Sequence, residues 1–471
     1  MKFVIRNGTV VTPRDRYAAD LVCEEGLITA LEEPDSASGS DEEIDATGLL
    51  VFPGFIDPHV HSRDPGLTEK EDFSHSTQAA AAGGITTIFE MPNAIPPVSE
   101  VSVFRVRAEQ HSRVAFVDFG LWAISLGAEN LEHVPELIDE GAVGVKLFWG
   151  YALHRQTKQL VYNLADEPPE NLILPPGNGD VFDLFRTVAG AGGLLAAHCE
   201  DREVIEASER ALGEDVAGYD DFLTSRPDTA EAASVALAAE FARATDCRFH
   251  VVHMSSARAT DIVRLAQREG VSISAETCPQ YLTLTDEAYA SVGPSMKVYP
   301  PIRRAHDRDE LWRGVRDGTI TSLGSDHAPH TLEEKQRDLA NQPAGAVGVE
   351  TLVPVLLNEV SEGRLSPERL AWVLSEGTAR LYGLYPQKGA IRPGADADFT
   401  IVDPEAGWTI RNEALHSKNP LSPWNGLSGR GAARFGVLRG RVVMRDGEPQ
   451  GEPGGQIVRP ARAGRERLAR G

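Results

Sequence analysis

The 471-residue chain is 41% hydrophobic and 25% charged, with a formal net charge of −24 and a pI near 5.0. That length supports one large domain with a smaller one beside it. The acidity excludes general binding to nucleic acid or to an anionic membrane, while leaving room for a locally basic pocket. No apolar run approaches the ~20 residues that span a bilayer, and the start MKFVIRNGTVV has no signal-peptide pattern. Four scattered cysteines, Cys23, Cys199, Cys247 and Cys278, form no CxxC, so a reduced, cytoplasmic setting is expected.

In chain order, KFVIR, Asn7-Gly8 and TVVT predict a first hairpin, and Asp20 to Leu31 a second that turns at Glu24-Glu25-Gly26. Glu32 to Glu43 is a polar loop. These strands cannot bury a core alone. Their expected partners lie near the other end, in DFTIVD (398–403) and FGVLRGRVVM (435–444) with a turn at Gly440. Between the ends, eight apolar, β-rich runs alternate with helix-like stretches: VFPGFID, ITTIFEMP, VAFVDFGLWA, VGVKLF, GLLAAH, RFHVVH, VSISAETC and TSLGSDH. Such alternation implies parallel pairing, and eight units predict a (β/α)8 TIM-type barrel. A doubly wound open sheet is the competing architecture. The expected organisation is a small β-sandwich domain from residues 1–50 and 386–450, a catalytic barrel over 51–385, and a loosely ordered tail over 451–471, or one strapped to a neighbouring subunit.

In a barrel of this kind chemistry gathers where strands finish. His59 and His61 alternate at the end of the first strand and so face one way. Pro58 is expected to end that strand by Asp57, leaving both histidines on its exit. Lys146 lies on the fourth strand, His198 ends the fifth, His253 the sixth and Asp326 the eighth. That set exceeds what one tetrahedral zinc takes and suits two metals. An ammonium among cations is out of place unless the amine has added carbon dioxide, giving a carbamate that bridges both. A plainer reading exists for each residue alone: a lone HxH is often two loop residues, and a single buried histidine is usually a hydrogen-bonded core residue. Cys199 beside His198 reads as a small buried filler rather than a ligand or nucleophile.

With HVH, GAVGVKLF, GLLAAHCED, FHVVHMSS, ETCPQYL and GSDHAPH in this order, the chain resembles the cyclic amidohydrolases, the branch holding dihydroorotases, allantoinases and hydantoinases. The resemblance covers nearly the whole chain. It implies that His59, His61 and Asp326 hold one divalent metal, that His198 and His253 hold another, and that N6-carboxylated Lys146 bridges them. Zinc is the first expectation, with manganese or cobalt as alternatives. It implies hydrolysis of a ring amide C–N bond, with Asp326 taking a proton from the attacking water and handing it to the departing nitrogen. No nucleotide or organic cofactor is expected, since no GxxxxGK[ST] run is present.

Substrate contacts follow from the same likeness. Arg63, Asn93 and His330 match positions that grip a ring carboxylate in dihydroorotases, where a guanidinium fork suits a carboxylate. Cys278 joins them as an expected substrate contact. Tyr151 resembles the tyrosine with which hydantoinases steady an oxyanion. The plainer readings are a surface ion pair for Arg63, a turn cap for Asn93, a helix cap for His330 and loop packing for Tyr151. Val347 stands where hydantoinases commonly carry Asn, and the long Pro-rich stretch over 156–180 reads as a lid that helps choose the ring. The preferred reading is a dihydroorotase-like enzyme for a carboxylate-bearing ring. The alternatives are an allantoinase or hydantoinase/dihydropyrimidinase and, from another class, a non-catalytic scaffold relative. His75, His111, His133, His154 and His306 read as surface or packing residues, and His327 should point away from the site. A homo-oligomer is expected from the likeness, with no nucleic-acid or membrane partner.

Overall fold

The computed structural model describes residues 1–161, 167–213 and 218–461. Nine strands from both chain ends form one hydrogen-bonded sheet. Lys2–Val11 sits near its middle, with Arg16–Glu24 antiparallel on one side and Leu50–Pro53 parallel on the other. Leu50–Pro53 then pairs with Phe399–Thr409, which continues the sheet through Ser428–Leu438 and Arg441–Arg445. The expected partnership of the two termini is therefore present. Phe3, Ile5, Leu21, Val51, Phe399, Ile401 and Val437 share one apolar cluster beneath it.

Two local expectations differ. Asn7-Gly8 is not a turn: Lys2–Val11 is one continuous strand with a register shift between Ile5 and Gly8. Asn7 takes a left-handed φ of 56° and donates its N–H to Asp20 Oδ1 at 2.9 Å, so the dipeptide makes a bulge inside a strand whose neighbours are already paired. The second hairpin and the Gly440 turn form as expected, with Glu25 and Gly26 at φ 52° and 85° and Arg439 and Gly440 at 45° and 69°.

The run 51–57 also divides. Gly54 separates Leu50–Pro53, which belongs to the terminal sheet, from Phe55–Val60, which belongs to the central region. A Cβ at Gly54 would lie 2.3 Å from Thr86 Oγ1, so only glycine lets the chain cross there. Phe55–Val60 runs through Pro58 instead of stopping at Asp57. The pairing with Ile85–Glu90 shifts register between Asp57 and Val60, and this irregularity accommodates a residue that cannot donate to a ladder.

The central region holds two parallel sheets. One contains Phe55–Val60, Ile85–Glu90 and Asp118–Leu121; the other runs Ala123–Ile124, Val145–Trp149, Leu194–Cys199, Arg248–Val251, Ile273–Thr277, Ser322–Leu323. Helices such as Phe73–Gly83, Asp228–Thr245 and Ala257–Arg268 connect successive strands, each started by a residue in extended backbone; Asp72 and Ser256 accept the N–H groups of His75 and Ala259. The sheets meet at both edges. Val143 N–H donates to Leu121 O at 3.0 Å. On the far side Val60 bridges His327 in parallel, with His61 N–H on His327 O at 2.8 Å. No helix among the described residues is long and apolar enough to cross a membrane.

The tail is tied down over its described part. Gly454 and Gly455 donate to Ala115 O, Val458 to Phe119 O and Ala461 to Gly383 O, so loose order does not apply to 454–461; residues 462–471 of that expectation lie outside the described residues. The same corner holds a buried charge cluster. Lys388 Nζ lies 2.5 Å from Asp118, 2.5 Å from Asp398 and 2.9 Å from Asp396, and Arg439 and the Gln456 N–H also bond Asp118. Asp118 belongs to a central strand, Asp398 adjoins the terminal sheet and Gln456 to the tail, so one lysine ties three parts together. Removing one partner of a buried pair costs about 3–5 kcal/mol. Lys388→Met is therefore expected to lower the unfolding free energy read from urea denaturation by about that amount; an unchanged value would mean the cluster contributes no net stability.

Candidate metal centre

The strand ends bring six polar side chains to one cavity of about 60 Å³: His59, His61, Lys146, His198, His253 and Asp326 all line it. Nε2 of His59 and of His61 lie 3.3 and 3.2 Å from Asp326 Oδ1. This trio satisfies the spacing of a cation site. Across the cavity, Nδ1 of His198 faces Nε2 of His253 at 3.2 Å. Gly324 makes the approach possible, because a Cβ there would sit 2.9 Å from His59 Cβ and 3.0 Å from the Glu276 carboxyl carbon.

Which nitrogen faces the cavity is set by partners behind each ring. His59 Nδ1 lies 2.8 Å from Glu276 Oε1, His198 Nε2 2.8 Å from Glu200 Oε2, and His61 Nδ1 2.7 Å from Asn93 Oδ1. A carboxylate or amide oxygen only accepts, so each of these nitrogens carries the proton and the opposite nitrogen offers its lone pair to the cavity. Burial alone would raise the two glutamates. The His59 and His250 imidazoles instead hold Glu276 at about 2, and Arg226 with His198 holds Glu200 at about 2. Burial pushes His61 down to about 4 and also lowers His198 and His253, so these rings are neutral at pH 7 and can ligate.

Lys146 is fully buried, and its Nζ has no hydrogen-bond partner. Burial lowers it to about 8. His59 Nε2 and His253 Nδ1 are likewise buried without hydrogen bonds. Orphaned polar atoms of this kind cost a few kcal/mol each unless something compensates them. With a hard carboxylate and imidazole lone pairs around one cavity, the donor set fits divalent cations. Three side chains at the rim also hold left-handed backbone: Arg63 at φ 60°, His253 at 38° and Asp326 at 49°. Such strain persists where surrounding structure over-determines it.

The expected substrate contacts divide. Arg63, Asn93 and Tyr151 line the cavity; His330 and Cys278 do not. His330 lies behind Arg63, with Nε2 3.4 Å from Arg63 Nη2 and 3.0 Å from Ala344 O, and burial holds it at about 3. Cys278 is fully buried at the start of the short helix Pro279–Thr283. His327 is buried outside the cavity lining, bonded to Gly348 N–H at 3.2 Å. Burial pushes the Cys199 thiol well above its ordinary range and keeps it un-ionised, consistent with a filler. In the 156–180 stretch, Leu160–Val161 and Leu172–Ile173 pair antiparallel with Ala152–His154; Leu160 reaches the cavity wall, and 162–166 lie outside the described residues.

Glu276, Glu200 and Asp57 are the residues that sequence reading passes over. Asp57 Oδ1 accepts the N–H groups of His59 at 3.1 Å and Ser325 at 3.0 Å, joining the first strand to the residues before Asp326. The signal for Glu276 and Glu200 was available: both are acids inside strand-end motifs, ETC and HCE, where an apolar residue would otherwise be buried.

The chain matches the amidohydrolase family over residues 50–443 and belongs to it. It is a cyclic amidohydrolase, an enzyme that hydrolyses ring amide C–N bonds. It is 37% identical over 468 residues to an allantoinase of Rubrobacter xylanophilus, covering 98% of this chain and 99% of that protein. It is 32% identical over 450 residues to a dihydroorotase of Trichlorobacter lovleyi, covering 94% and 99%. The solved L-hydantoinase (dihydropyrimidinase) from Arthrobacter aurescens superposes with a TM-score of 0.90 at 32% identity, over 97% of this chain and 99% of that one.

Partners behind ligating histidines change metal affinity by about 10–100-fold. Glu276→Gln keeps an acceptor for His59 but removes the charge, and is expected to weaken metal retention about tenfold in chelator competition. Retention equal to the parent would show that the charge of Glu276 adds nothing to metal affinity.

Proposed function

We propose that this enzyme opens a five-membered cyclic ureide of the allantoin or hydantoin type at a binuclear centre held by His59, His61, Lys146, His198, His253 and Asp326. The observation that carries it is the convergence of all six on one cavity. Zinc is the preferred metal. Lys146 is read as N6-carboxylysine: its neutral amine attacks carbon dioxide, an N–C bond forms, and a proton leaves, replacing an orphaned buried amine by an anion. Bound divalent cations supply Lewis acidity and lower the pKa of water from about 15.7 toward ~7.

The chain's own groups do the rest. Asp326 is held below the usual carboxylate range; burial opposes this, but His59 and His61 outweigh it. It is therefore ionised and takes the proton of the attacking water. As the new C–O bond forms and the ring C–N bond breaks, Asp326 returns that proton to the departing nitrogen. Tyr151 donates to the developing oxyanion. Arg63 and Asn93 orient the ring. A second reading, a ring bearing a carboxylate as in dihydroorotate, is favoured by Arg63 at the wall. The absence of His330 from the wall favours the first.

The architecture this reading calls for is a (β/α)8 barrel; the hydrogen bonds that join the two central sheets at both edges support it. The terminal sheet would fold over its apolar cluster as the small sandwich, over 1–50 and 386–450, with Leu50–Pro53 carried across the boundary. Cytoplasmic location and homo-oligomerisation are part of the same proposal.

Two experiments test it. With metal-replete enzyme, allantoin or a 5-substituted hydantoin is expected to turn over faster than dihydroorotate, and Arg63→Ala to cost less on the hydantoin than on dihydroorotate; preference for dihydroorotate would establish the second reading instead. Lys146→Ala should abolish activity and recover part of it when a short carboxylic acid is added. A fully active Lys146→Ala enzyme would refute the bridging carbamate.

A further inference from the structure

Behind the His198 wall lies an arginine that the proposed chemistry leaves unused. Arg226 is buried, and its guanidinium grips Glu200 with two bonds, Nε to Oε1 at 3.2 Å and Nη2 to Oε2 at 2.5 Å. The same Nη2 donates to Tyr151 Oη at 2.6 Å. Its plane lies over the Tyr299 ring, 3.7 Å from the centroid, and Tyr299 itself lines the cavity. Glu200 in turn accepts from His198 Nε2, and the Tyr151 ring packs edge-on to His198 at 5.0 Å. The result is a closed circuit: His198, Glu200, Arg226, Tyr151 and back to His198.

This geometry goes beyond charge balance for Glu200. A guanidinium has donors only. By donating to the Tyr151 oxygen, it fixes the hydroxyl's orientation and leaves the phenol proton to be donated away from the guanidinium. A planar, stacked fork can hold a carboxylate and a phenol at fixed relative angles, which a point-charge ammonium cannot. We infer that Arg226 is a positioning residue that locks the oxyanion donor Tyr151 and the imidazole of His198 into one rigid unit, so that Tyr151 meets the reacting carbonyl as a hydrogen-bond donor. This rests on the role of Tyr151 proposed above. Loss of a preorganised oxyanion donor costs about 10²–10³ in kcat. A misaligned donor should lose part of that.

Arg226→Lys keeps the counter-charge for Glu200 and so preserves folding, but cannot reach both partners as a fork. Assayed at saturating metal, it is expected to lower kcat about 10–100-fold with KM within about threefold, the pattern of an interaction made in the transition state. Tyr151→Phe should lose at least as much. Because the two act as one unit, the double variant should be within about threefold of Tyr151→Phe alone. A readout independent of turnover is the 19F spectrum of protein labelled with 3-fluorotyrosine. The Tyr151 resonance, identified by its loss in Tyr151→Phe, should shift in Arg226→Lys. Parental kcat in Arg226→Lys, losses that multiply in the double variant, or an unmoved Tyr151 resonance would each overturn the inference. If the parent enzyme opens no cyclic ureide at all, the proposed function fails, while the resonance still reports whether Arg226 holds Tyr151.

Discussion

The centre depends on the aiming of buried lone pairs. An imidazole has two nitrogens, and only the one without a proton can hold a cation. In solution the two tautomers interchange freely. Here Glu276, Glu200 and Asn93 each accept from one nitrogen at 2.7–2.8 Å, and the other nitrogen has no choice but to face the cavity. Remove these acceptors and the same residues would still be near one another without forming a coherent donor set. The acids remain ionised in a buried setting because the rings and Arg226 compensate them, so ligands and supports stabilise each other.

This requirement explains the surrounding construction. Parallel strands end at one level, so residues far apart in sequence arrive together. Asp57 fastens the first strand to Ser325, and Gly324 lets His59 and Glu276 approach. Left-handed backbone at His253 and Asp326 then turns those side chains inward. Local strain of about 1–3 kcal/mol per residue is tolerable only within a rigid frame. The Lys388 cluster and the hydrogen-bonded tail help supply one by tying the terminal sheet to the central strands.

Five of the six cavity residues were legible because they close β-rich runs, where a histidine or aspartate is a chemical anomaly in an apolar context, and Lys146 because a lysine lies inside such a run. The supporting shell was not. Glu276 and Glu200 look like ordinary acids until a ring is seen against them, and Arg226 lies in a segment, TSRPDT, with no periodic signal. Asn7-Gly8 misled for a related reason. The same left-handed preference that makes a hairpin turn also makes a bulge, and only the neighbouring strands decide between them. Pro58 likewise reads as a strand end, yet a register shift beside it lets the strand run on to Val60.

The sequence by itself determined the family, the strand–helix alternation and the six polar side chains, because these follow from residue type and local period. Tertiary structure alone decided the hydrogen-bond partner behind each ring, the splitting of the first apolar run at Gly54, and the burial of His330 behind Arg63. Those depend on which surfaces meet across hundreds of residues, and contact between distant segments leaves no mark in local composition.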